Sequence, residues 1–200
     1  MQKLCRVSVA LGAAIGVLML VGCTPEPEPE PEVLTASEAG GAYLDAVCPV
    51  NAAWDIADAE LEQLRLALAR GAVSDTKLAD AKPVSDALEE VAAASKIAAG
   101  RLDPKSTTWP EDAQAAVDDV RETLQDDREQ IGRVMKLPPH KLTGYSWEGA
   151  EDTARAAAQA HEALGLPEDA DAACAQWAEQ QSKPQVKPQS KPSERPEAAG

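Results

Sequence analysis

The sequence contains no phenylalanine and only two tyrosines, and β-branched residues are sparse in it. Alanine, by contrast, supplies 39 of the 200 residues. Alanine is the strongest helix former, whereas strands are enriched in β-branched and aromatic side chains. No segment shows a convincing alternation of apolar and polar residues, which is the pattern expected of a half-buried strand. The composition therefore predicts an all-α fold.

The sequence also lacks the short motifs that mark common catalytic and metal sites. HExxH, CxxC, GxSxG and a glycine-rich phosphate loop do not occur, so neither a zinc site nor an activated nucleophile is indicated. Asp169 and Asp171 have the spacing at which a calcium loop begins, but Cys174 and Gln180 occupy the positions of its glycine and bidentate glutamate. We therefore expect no catalytic residue, no metal site, no cofactor and no enzymatic activity.

Basic residues are few compared with acidic ones. Residues 24–181 hold 32 acidic and 13 basic side chains, a net charge of −19 with histidine neutral. Proteins that bind nucleic acid neutralise phosphates with clustered lysine and arginine. We therefore expect no nucleic-acid partner.

An apolar run near the amino terminus has the features of an export signal. Lys3 and Arg6 precede fifteen uncharged residues, from Val7 to Val21, which is the pattern of a signal peptide. A transmembrane helix needs about 20 apolar residues, so this run is short for a permanent membrane span. Residues 1–22 are therefore predicted to be a signal peptide.

The four residues Leu20-Val21-Gly22-Cys23 end this run. They resemble the lipobox of bacterial lipoproteins, and the resemblance covers the first 23 residues. It implies that the Cys23 thiol receives a diacylglyceryl group, that the preceding peptide bond is cut, and that the new amino terminus is acylated. Two or three acyl chains such as palmitate hold a protein stably on a bilayer. The implied location is the extracytoplasmic face of the cell membrane. The alternative is an ordinary signal peptide cut nearby, which leaves Cys23 as a spare thiol.

Two segments of low complexity flank the part of the chain that can fold. Residues 23–34 contain four Pro-Glu repeats, which predict an extended spacer that lifts the domain roughly 25 to 30 Å from the lipid. Residues 182–200 are rich in proline and lysine, which predicts a disordered basic tail. This tail either contacts an anionic envelope polymer or lipid, or remains solvated without a partner; we favour the second.

Residues 35–181 carry apolar side chains at steps of three and four, the spacing of one helix face. Four long amphipathic segments and a short last one predict an antiparallel four-helix-type bundle with a short C-terminal helix. The predicted core positions, by segment, are Tyr43, Val47, Val50, Trp54, Ala57, Leu61, Leu64 and Leu68; Val84, Leu88, Val91, Ser95, Ala98 and Leu102; Ala113, Val117, Val120, Leu124, Asp127, Ile131 and Val134; Trp147, Ala150, Ala154, Ala157, His161 and Leu164; and Ala170, Cys174 and Trp177.

Local signals predict where the first helix begins and where it is disturbed. Thr35 and Glu38 have capping-box spacing, which indicates the start of a helix. Pro49 cannot donate a hydrogen bond to the carbonyl of Asp45 and disfavours helical geometry in the preceding residue. A kink or a break is therefore expected near residues 48–51.

The starts of the second and third helices are predicted less directly. The second segment is expected to begin near Ser74 and to continue past Pro83. Trp109-Pro110-Glu111 is typical of a helix start, with Thr108 as the predicted N-cap and acidic residues in the first turn.

Four cysteines have separate expected fates. Cys5 leaves with the signal peptide, and Cys23 is the lipidation site. Cys48 and Cys174 remain as one pair in a compartment where disulfides persist. We expect them to form a disulfide that joins the first helix to the last. The alternative is two buried free thiols.

Two polar residues on the apolar stripes invite a functional interpretation. His161, followed by Glu162, is either a metal ligand or base or a packed structural histidine, and we favour the latter. Asp127 either pairs with Arg128 or another helix, faces a polar cavity, or marks where the stripe drifts towards the surface, which we favour.

The few aromatic residues also allow two interpretations. They either line a groove for a sugar, a peptide or a cationic ligand, or they pack in the core and at helix ends. We favour packing. The residues are Tyr43, Trp54, Trp109, Tyr145, Trp147 and Trp177.

Three functional hypotheses follow. The first is a lipid-anchored, non-catalytic interaction or structural module of the cell envelope, whose partners are the membrane and an unknown envelope protein or polymer. The second is a receptor for a small ligand or cation drawn by the acidic surface. The third, an envelope hydrolase, would depend on convergent carboxylates or His161.

Overall fold

The computed structural model of the protein describes residues 33–71 and 80–183. In this part of the chain every long element is an α-helix, which confirms the predicted all-α class. The helices are α1 (Ala36–Gly71), α2 (Lys82–Arg101), α3 (Glu111–Val134), α4 (Pro139–Leu142), α5 (Ala150–Ala163) and α6 (Ala170–Ser182). The predicted signal peptide, the motif around Cys23, the Pro-Glu repeats and the tail after residue 183 lie outside the described residues.

The capping box predicted at the start of α1 is present. The main-chain N–H of Thr35 donates to Glu38 Oε2 at 3.0 Å, and the N–H of Glu38 donates to Thr35 Oγ1 at 3.3 Å. The Thr35 hydroxyl also donates to Glu38 Oε2 at 2.6 Å. These hydrogen bonds stabilise the charged carboxylate and hold the pKa of Glu38 below its usual value. The two residues therefore satisfy main-chain donors that would otherwise be unpaired.

Pro49 does not interrupt α1, which is a single helix of 36 residues. Of the kink or break expected near residues 48–51, the break is absent. Pro49 has no N–H to donate to the carbonyl oxygen of Asp45, four residues earlier. Arg101, at the end of α2, donates to that oxygen through Nη1 at 2.7 Å. The lost helical hydrogen bond is thus replaced by one from a neighbouring helix.

The second helix starts later than the sequence analysis predicted. Asp80 and Ala81 are not helical, and α2 begins at Lys82, so Pro83 lies in its first turn. The missing N–H of proline costs nothing there, because the first donors of a helix have no helical acceptor. Pro83 therefore helps to start α2, and the expectation of a helix running through it from Ser74 was wrong.

Thr108 is not the N-cap of the third helix, as had been predicted. Pro110 occupies the N-cap position, in an extended conformation that precedes α3. The carbonyl oxygen of Thr108 instead accepts a hydrogen bond of 3.0 Å from the N–H of Leu34. This bond, within an isolated bridge between Val33 and Thr108, joins the chain before α1 to the chain before α3.

The long helices form the predicted antiparallel bundle. α1 packs on α2, α2 on α3, and α3 on α5, while α6 packs mainly on α1. One buried cluster combines the first half of α1 with the end of α2, the start of α3 and residues of α5 and α6. The second combines the last part of α1 with the start of α2, the end of α3 and α4. Burial of these apolar faces is the main driving force for packing the helices together.

The buried face of α5 differs from the predicted one. Ala150 and Ala154 are exposed, whereas Ala156 and Ala160 are buried together with His161. α5 carries alanine on several faces, so the apolar spacing does not distinguish between them. Packing against α3 decides which alanines are covered.

The predicted disulfide is present between α1 and α6. Cys48 and Cys174 are bonded, with their Cα atoms 5.4 Å apart. Close to it, Asn51 Nδ2 lies 3.8 Å from the sulfur of Cys174. The bond joins α1 to α6 through two cysteines that are 126 residues apart in the sequence.

None of the helices in residues 33–71 and 80–183 combines the length and the apolarity needed to cross a bilayer.

Candidate functional site

An apolar groove of about 530 Å³ lies between α1 and α2 and is open to solvent. It is lined by Ala46, Pro49, Ala52, Ala53 and Ile56 of α1 and by Glu90, Ala93, Ala94, Ile97 and Arg101 of α2. Alanine dominates the lining, and an alanine side chain ends at Cβ. Few side-chain atoms therefore project from the floor of the groove, which leaves room for a partner to approach the backbones of both helices.

Two isoleucines stand beside this low surface. Ile56 is 60% exposed and Ile97 is 59% exposed. In the part of the chain that the structure describes, large exposed apolar side chains are few: Val33, Ile56, Leu66 and Ile97. Two of the four therefore border one groove, in a domain whose surface is otherwise rich in charge. Single exposed apolar residues are ordinary, but two of them beside one groove make this groove the candidate site.

The two ends of the groove differ in charge. At one end Arg101 lines the groove while its guanidinium donates to the Asp45 carbonyl. Towards the other end Glu90 lines the groove beside Ile56. Glu60 follows Ile56 by one helical turn, on the same side of α1. Because α1 and α2 are antiparallel, about eleven residues on each helix separate the two ends, a distance of about 16 Å.

This groove is not evident from the sequence. Ile56 and Ile97 lie off the predicted apolar stripes of their helices, and each alone is an ordinary exposed residue. The available signal was a bulky apolar residue out of phase on two consecutive helices. Only the packing of α1 on α2 brings them to the same surface.

His161 is buried, and its contacts are with Tyr43 and Pro167 of the same domain. Its side chain is 3% exposed, and its ring packs edge-on against the ring of Tyr43 with centroids 5.6 Å apart. Its Nδ1 lies 2.5 Å from the carbonyl oxygen of Pro167. A carbonyl oxygen only accepts, so Nδ1 carries the proton in this contact. His161 therefore connects α5 to the loop that leads into α6.

Asp127 lies half-buried on α3, between its neighbours on the apolar stripe. Burial, with a smaller contribution from the charge of Asp126, raises the pKa of Asp127 to about 6. No ion pair between Asp127 and Arg128 is present among the described residues. The stripe thus reaches partly accessible surface at Asp127, as the favoured interpretation predicted, but with a carboxylate that is costly to ionise.

The aromatic residues pack against other parts of the domain. The rings of Trp54 and Trp147 meet edge to face with centroids 4.9 Å apart, and those of Tyr145 and Trp147 at 5.3 Å. Trp109 is buried and donates through Nε1 to the carbonyl of Leu102 at 3.2 Å. These contacts agree with the packing interpretation.

Trp177 secures α6 on α1. Its indole Nε1 donates to Asp45 Oδ1 at 2.9 Å. A Cβ placed on Gly41 would lie 3.0 Å from the ring of Trp177, so a larger residue there would require the indole to shift by a few tenths of an ångström. Asp45 therefore accepts hydrogen bonds from two other helices: its side chain accepts from Trp177 of α6, and its main-chain carbonyl accepts from Arg101 of α2.

Gln130 is a buried polar residue that the sequence analysis missed. Its Oε1 accepts from the N–H of Glu148 at 2.9 Å and from the hydroxyl of Tyr145 at 3.2 Å. Its Nε2 donates to the carbonyl of Glu148 at 3.1 Å. One side chain on α3 thus forms hydrogen bonds with the main chain of Glu148 and the hydroxyl of Tyr145, both in the loop before α5. Nothing in the local sequence separates it from the solvated glutamines.

Carboxylates do not gather into a metal site within residues 33–71 and 80–183: no group of three or more histidine, cysteine, aspartate or glutamate side chains there could hold an ion. Asp112, Asp119 and Glu162 line a polar notch between α3 and α5. Asp169, considered above for calcium, is the N-cap of α6, because its Oδ1 accepts from the N–H of Ala172 at 2.9 Å.

Comparison with family models, with curated protein sequences and with solved structures finds no match to this chain. The candidate site therefore stands on the contacts described here.

Proposed function

We propose that the protein is a lipoprotein anchored through Cys23 on the extracytoplasmic face of the cell membrane, and that its helical domain is a non-catalytic interaction module. The α1–α2 groove is the proposed binding surface, and its occupant is an apolar helical segment of an envelope protein. The observation that carries this proposal is the pair of exposed isoleucines, Ile56 and Ile97, beside an alanine-lined groove.

The location is supported by the sequence before the domain. Leu20-Val21-Gly22-Cys23 resembles a lipobox, and the Pro-Glu repeats that follow it are suited to an extended spacer. A disulfide between Cys48 and Cys174 fits an oxidising compartment. A domain held away from the lipid surface would leave its groove accessible to proteins of the envelope.

The contacts of the ionisable residues favour binding over catalysis. His161, the residue considered as a base, is buried and its Nδ1 is engaged by the Pro167 carbonyl. Asp127, whose pKa is raised, is a single half-buried carboxyl beside the exposed Asp126. A general acid–base site needs groups that reach a substrate in a shared cleft.

The volume of the groove would also suit a small ligand, which is the second hypothesis. Pockets for small molecules occupy roughly 300 to 1,000 Å³, but they usually enclose 70–90% of the ligand surface. This groove is open along its length, and its two largest apolar side chains remain more than half exposed. A longer partner that covers both isoleucines fits the geometry better.

Site-specific photo-crosslinking in intact envelopes tests the proposal. A photoreactive residue at Ile97 should form an adduct with one defined apolar segment of one envelope protein. The same group at Gln159, on the notch between α3 and α5, is the matched control and should not form that adduct. The absence of a discrete adduct at Ile97, or the same products from both positions, would contradict the proposed binding surface.

The anchor needs a separate test. Replacement of Cys23 by serine should abolish lipid attachment and release the protein from the membrane fraction, as measured by intact mass and by sedimentation. A Cys23→Ser protein that is still processed and still sediments with membranes would contradict the location.

A further inference from the structure

We propose that the segment seated in the α1–α2 groove is an amphipathic helix of about three turns whose basic residues face Glu60 and Glu90. This inference depends on the proposed function, because it names the chemistry of the partner at the same surface. It is carried by three properties of the groove: its main-chain hydrogen bonding, its length and its distribution of charge.

The main chain of the groove offers nothing to an extended peptide. Both walls are helices, and residues inside a helix direct their N–H and carbonyl groups along the helix axis to one another. The exception on α1 is the Asp45 carbonyl, left without a helical donor by Pro49, and Arg101 already donates to it. A peptide that adds to a sheet gains main-chain hydrogen bonds, but no such edge is present here. An occupant must therefore satisfy its own main chain, which a helix does.

The dimensions of the groove suit a short helix. The distance of about 16 Å between its ends corresponds to about eleven residues, or three turns. Ile56 and Ile97 stand on opposite walls, with alanines between them. Apolar residues at positions i, i+3 or i+4, and i+7 of an incoming helix would pack between the two isoleucines, as ridges of side chains pack into grooves.

The negative charges beside the groove favour a partner with positive charge at that end. Glu90 lines the groove. Glu60 is outside the lining but follows Ile56 by one helical turn on α1. Neither makes an ion pair within the described part of the chain, whereas Asp86, one turn before Glu90, is paired with Lys82 at 2.6 Å. Two unpaired carboxylates thus flank the end at Ile56. Lysine or arginine at one end of the occupant would complement them.

A second copy of this chain is a poorer occupant. The described residues carry 27 acidic and 13 basic side chains, a net charge of −14 with histidine neutral. Two such domains repel each other. Charge complementarity therefore points to a basic partner.

Peptide binding to the full chain, reconstituted in nanodiscs of neutral phosphatidylcholine, tests this inference. The probes are three fluorescent peptides: a basic amphipathic helix, the same apolar stripe with glutamate at the charged positions, and a basic peptide with the stripe scrambled. Fluorescence anisotropy should show the basic amphipathic peptide binding about threefold to tenfold more tightly than the acidic one, as expected for one or two exposed charge pairs. The scrambled peptide should not bind.

Substitutions locate the interaction. Ile97→Ser should abolish binding of the basic amphipathic peptide, and Glu90→Gln should remove its advantage over the acidic peptide. Glu89→Gln removes a neighbouring exposed carboxylate that does not line the groove, and should change neither. Equal binding of the basic and acidic peptides, or binding that survives Ile97→Ser, would overturn the inference. So would a concentration-dependent dimer that Ile97→Ser dissociates, because a second copy would then occupy the groove.

The outcome remains separate from that of the proposed function. A crosslink from residue 97 to an acidic or non-helical segment would overturn the inference about partner chemistry and leave the binding surface intact. Failure of the crosslink would remove both.

Discussion

Arg101 donates a hydrogen bond of 2.7 Å from Nη1 to the main-chain oxygen of Asp45, the carbonyl that Pro49 leaves without its helical donor. The side chain of Asp45 accepts from Trp177 at 2.9 Å. One residue of α1 thus receives donors from both α2 and α6. Pro49, the disulfide and the start of the groove all lie within one turn of this point.

The first prediction concerns this replacement of a helical hydrogen bond. Arg101→Met keeps an apolar stem and removes the donor, and we expect it to lower the free energy of unfolding by about 0.5 to 1.5 kcal/mol. In a Pro49→Ala background the restored N–H can bond the Asp45 carbonyl, so the loss should be smaller. Urea unfolding of the four proteins measures the coupling. An equal loss of unfolding free energy in both backgrounds would show that the hydrogen bond from Arg101 does not replace the one that Pro49 removes.

The second prediction concerns the attachment of α6. Ala173 is the only buried residue of α6, so the disulfide and Trp177 provide much of its attachment. Reduction should therefore release α6 before the rest of the domain unfolds. Limited digestion with chymotrypsin should cut at Trp177, the only aromatic residue of α6, much faster in the reduced protein. The oxidised protein is the control, and equal cutting rates at Trp177 would contradict local release.

The third prediction concerns the buried hydroxyl of Ser95 on α2. Ser95 is fully buried, and its Oγ has no hydrogen-bond partner among the described residues. Burial of an unpaired polar group is destabilising, so Ser95→Ala should raise the free energy of unfolding by about 1 kcal/mol. Ser85→Ala, at a partly exposed position of the same helix, should give only the smaller gain from helix propensity. Thermal and urea unfolding measure both. Destabilisation by Ser95→Ala would indicate that the hydroxyl is bonded.

The fourth prediction concerns pH and Asp127. Its pKa in the folded protein is about 6 against an ordinary value of 3.8, so the folded state binds the proton more tightly than the unfolded state. Stability from this group is therefore present below pH 4, declines as pH rises through 4 to 6, and stays lost above 6. Asp127→Asn should remove this decline. At pH 7 it should stabilise the protein by on the order of 1 kcal/mol, after allowance for solvent screening.

Two controls isolate the effect of Asp127. Asp126→Asn removes the lesser cause of the raised pKa, so most of the decline should remain. The lowered pKa of Glu38 contributes in the opposite direction, because its stabilisation is lost as pH falls. The difference between the wild type and Asp127→Asn cancels that contribution. A difference that does not change between pH 3 and pH 7 would contradict the raised pKa.

Local signals were sufficient where the interacting residues are close in the sequence. The capping box of Thr35 and Glu38 spans three residues, and both members carry the chemistry that makes it recognisable. The stripes of α2 and α3 were also correct at almost every position, because valine and leucine at helical spacing admit one buried face. The pairing of Cys48 with Cys174 followed from the number of remaining cysteines.

Local signals failed where the side chains do not discriminate between faces or where the partner is distant. The alanines of α5 lie on several faces of the helix, so their spacing does not show which face is buried. Ala154 was therefore predicted to be in the core and Ala156 was not, whereas Ala156 is the buried one. The carbonyl of Asp45, which Pro49 leaves without a helical donor, accepts a hydrogen bond from Arg101, 56 residues away from Asp45. The same limit applies to Gln130 and to the groove, which needs Ile56 and Ile97 on adjacent helices.

The sequence by itself determined that the domain is helical and acidic and that Cys48 could pair only with Cys174 once Cys5 and Cys23 are set aside, because helix propensity, charge and cysteine number are properties of the residues themselves. The tertiary structure decided which carbonyl accepts a hydrogen bond from Arg101 and which alanines are buried between helices. It also decided that two exposed isoleucines border one groove. The reason is that these features are contacts between helices. Their geometry exists only after the apolar faces have packed.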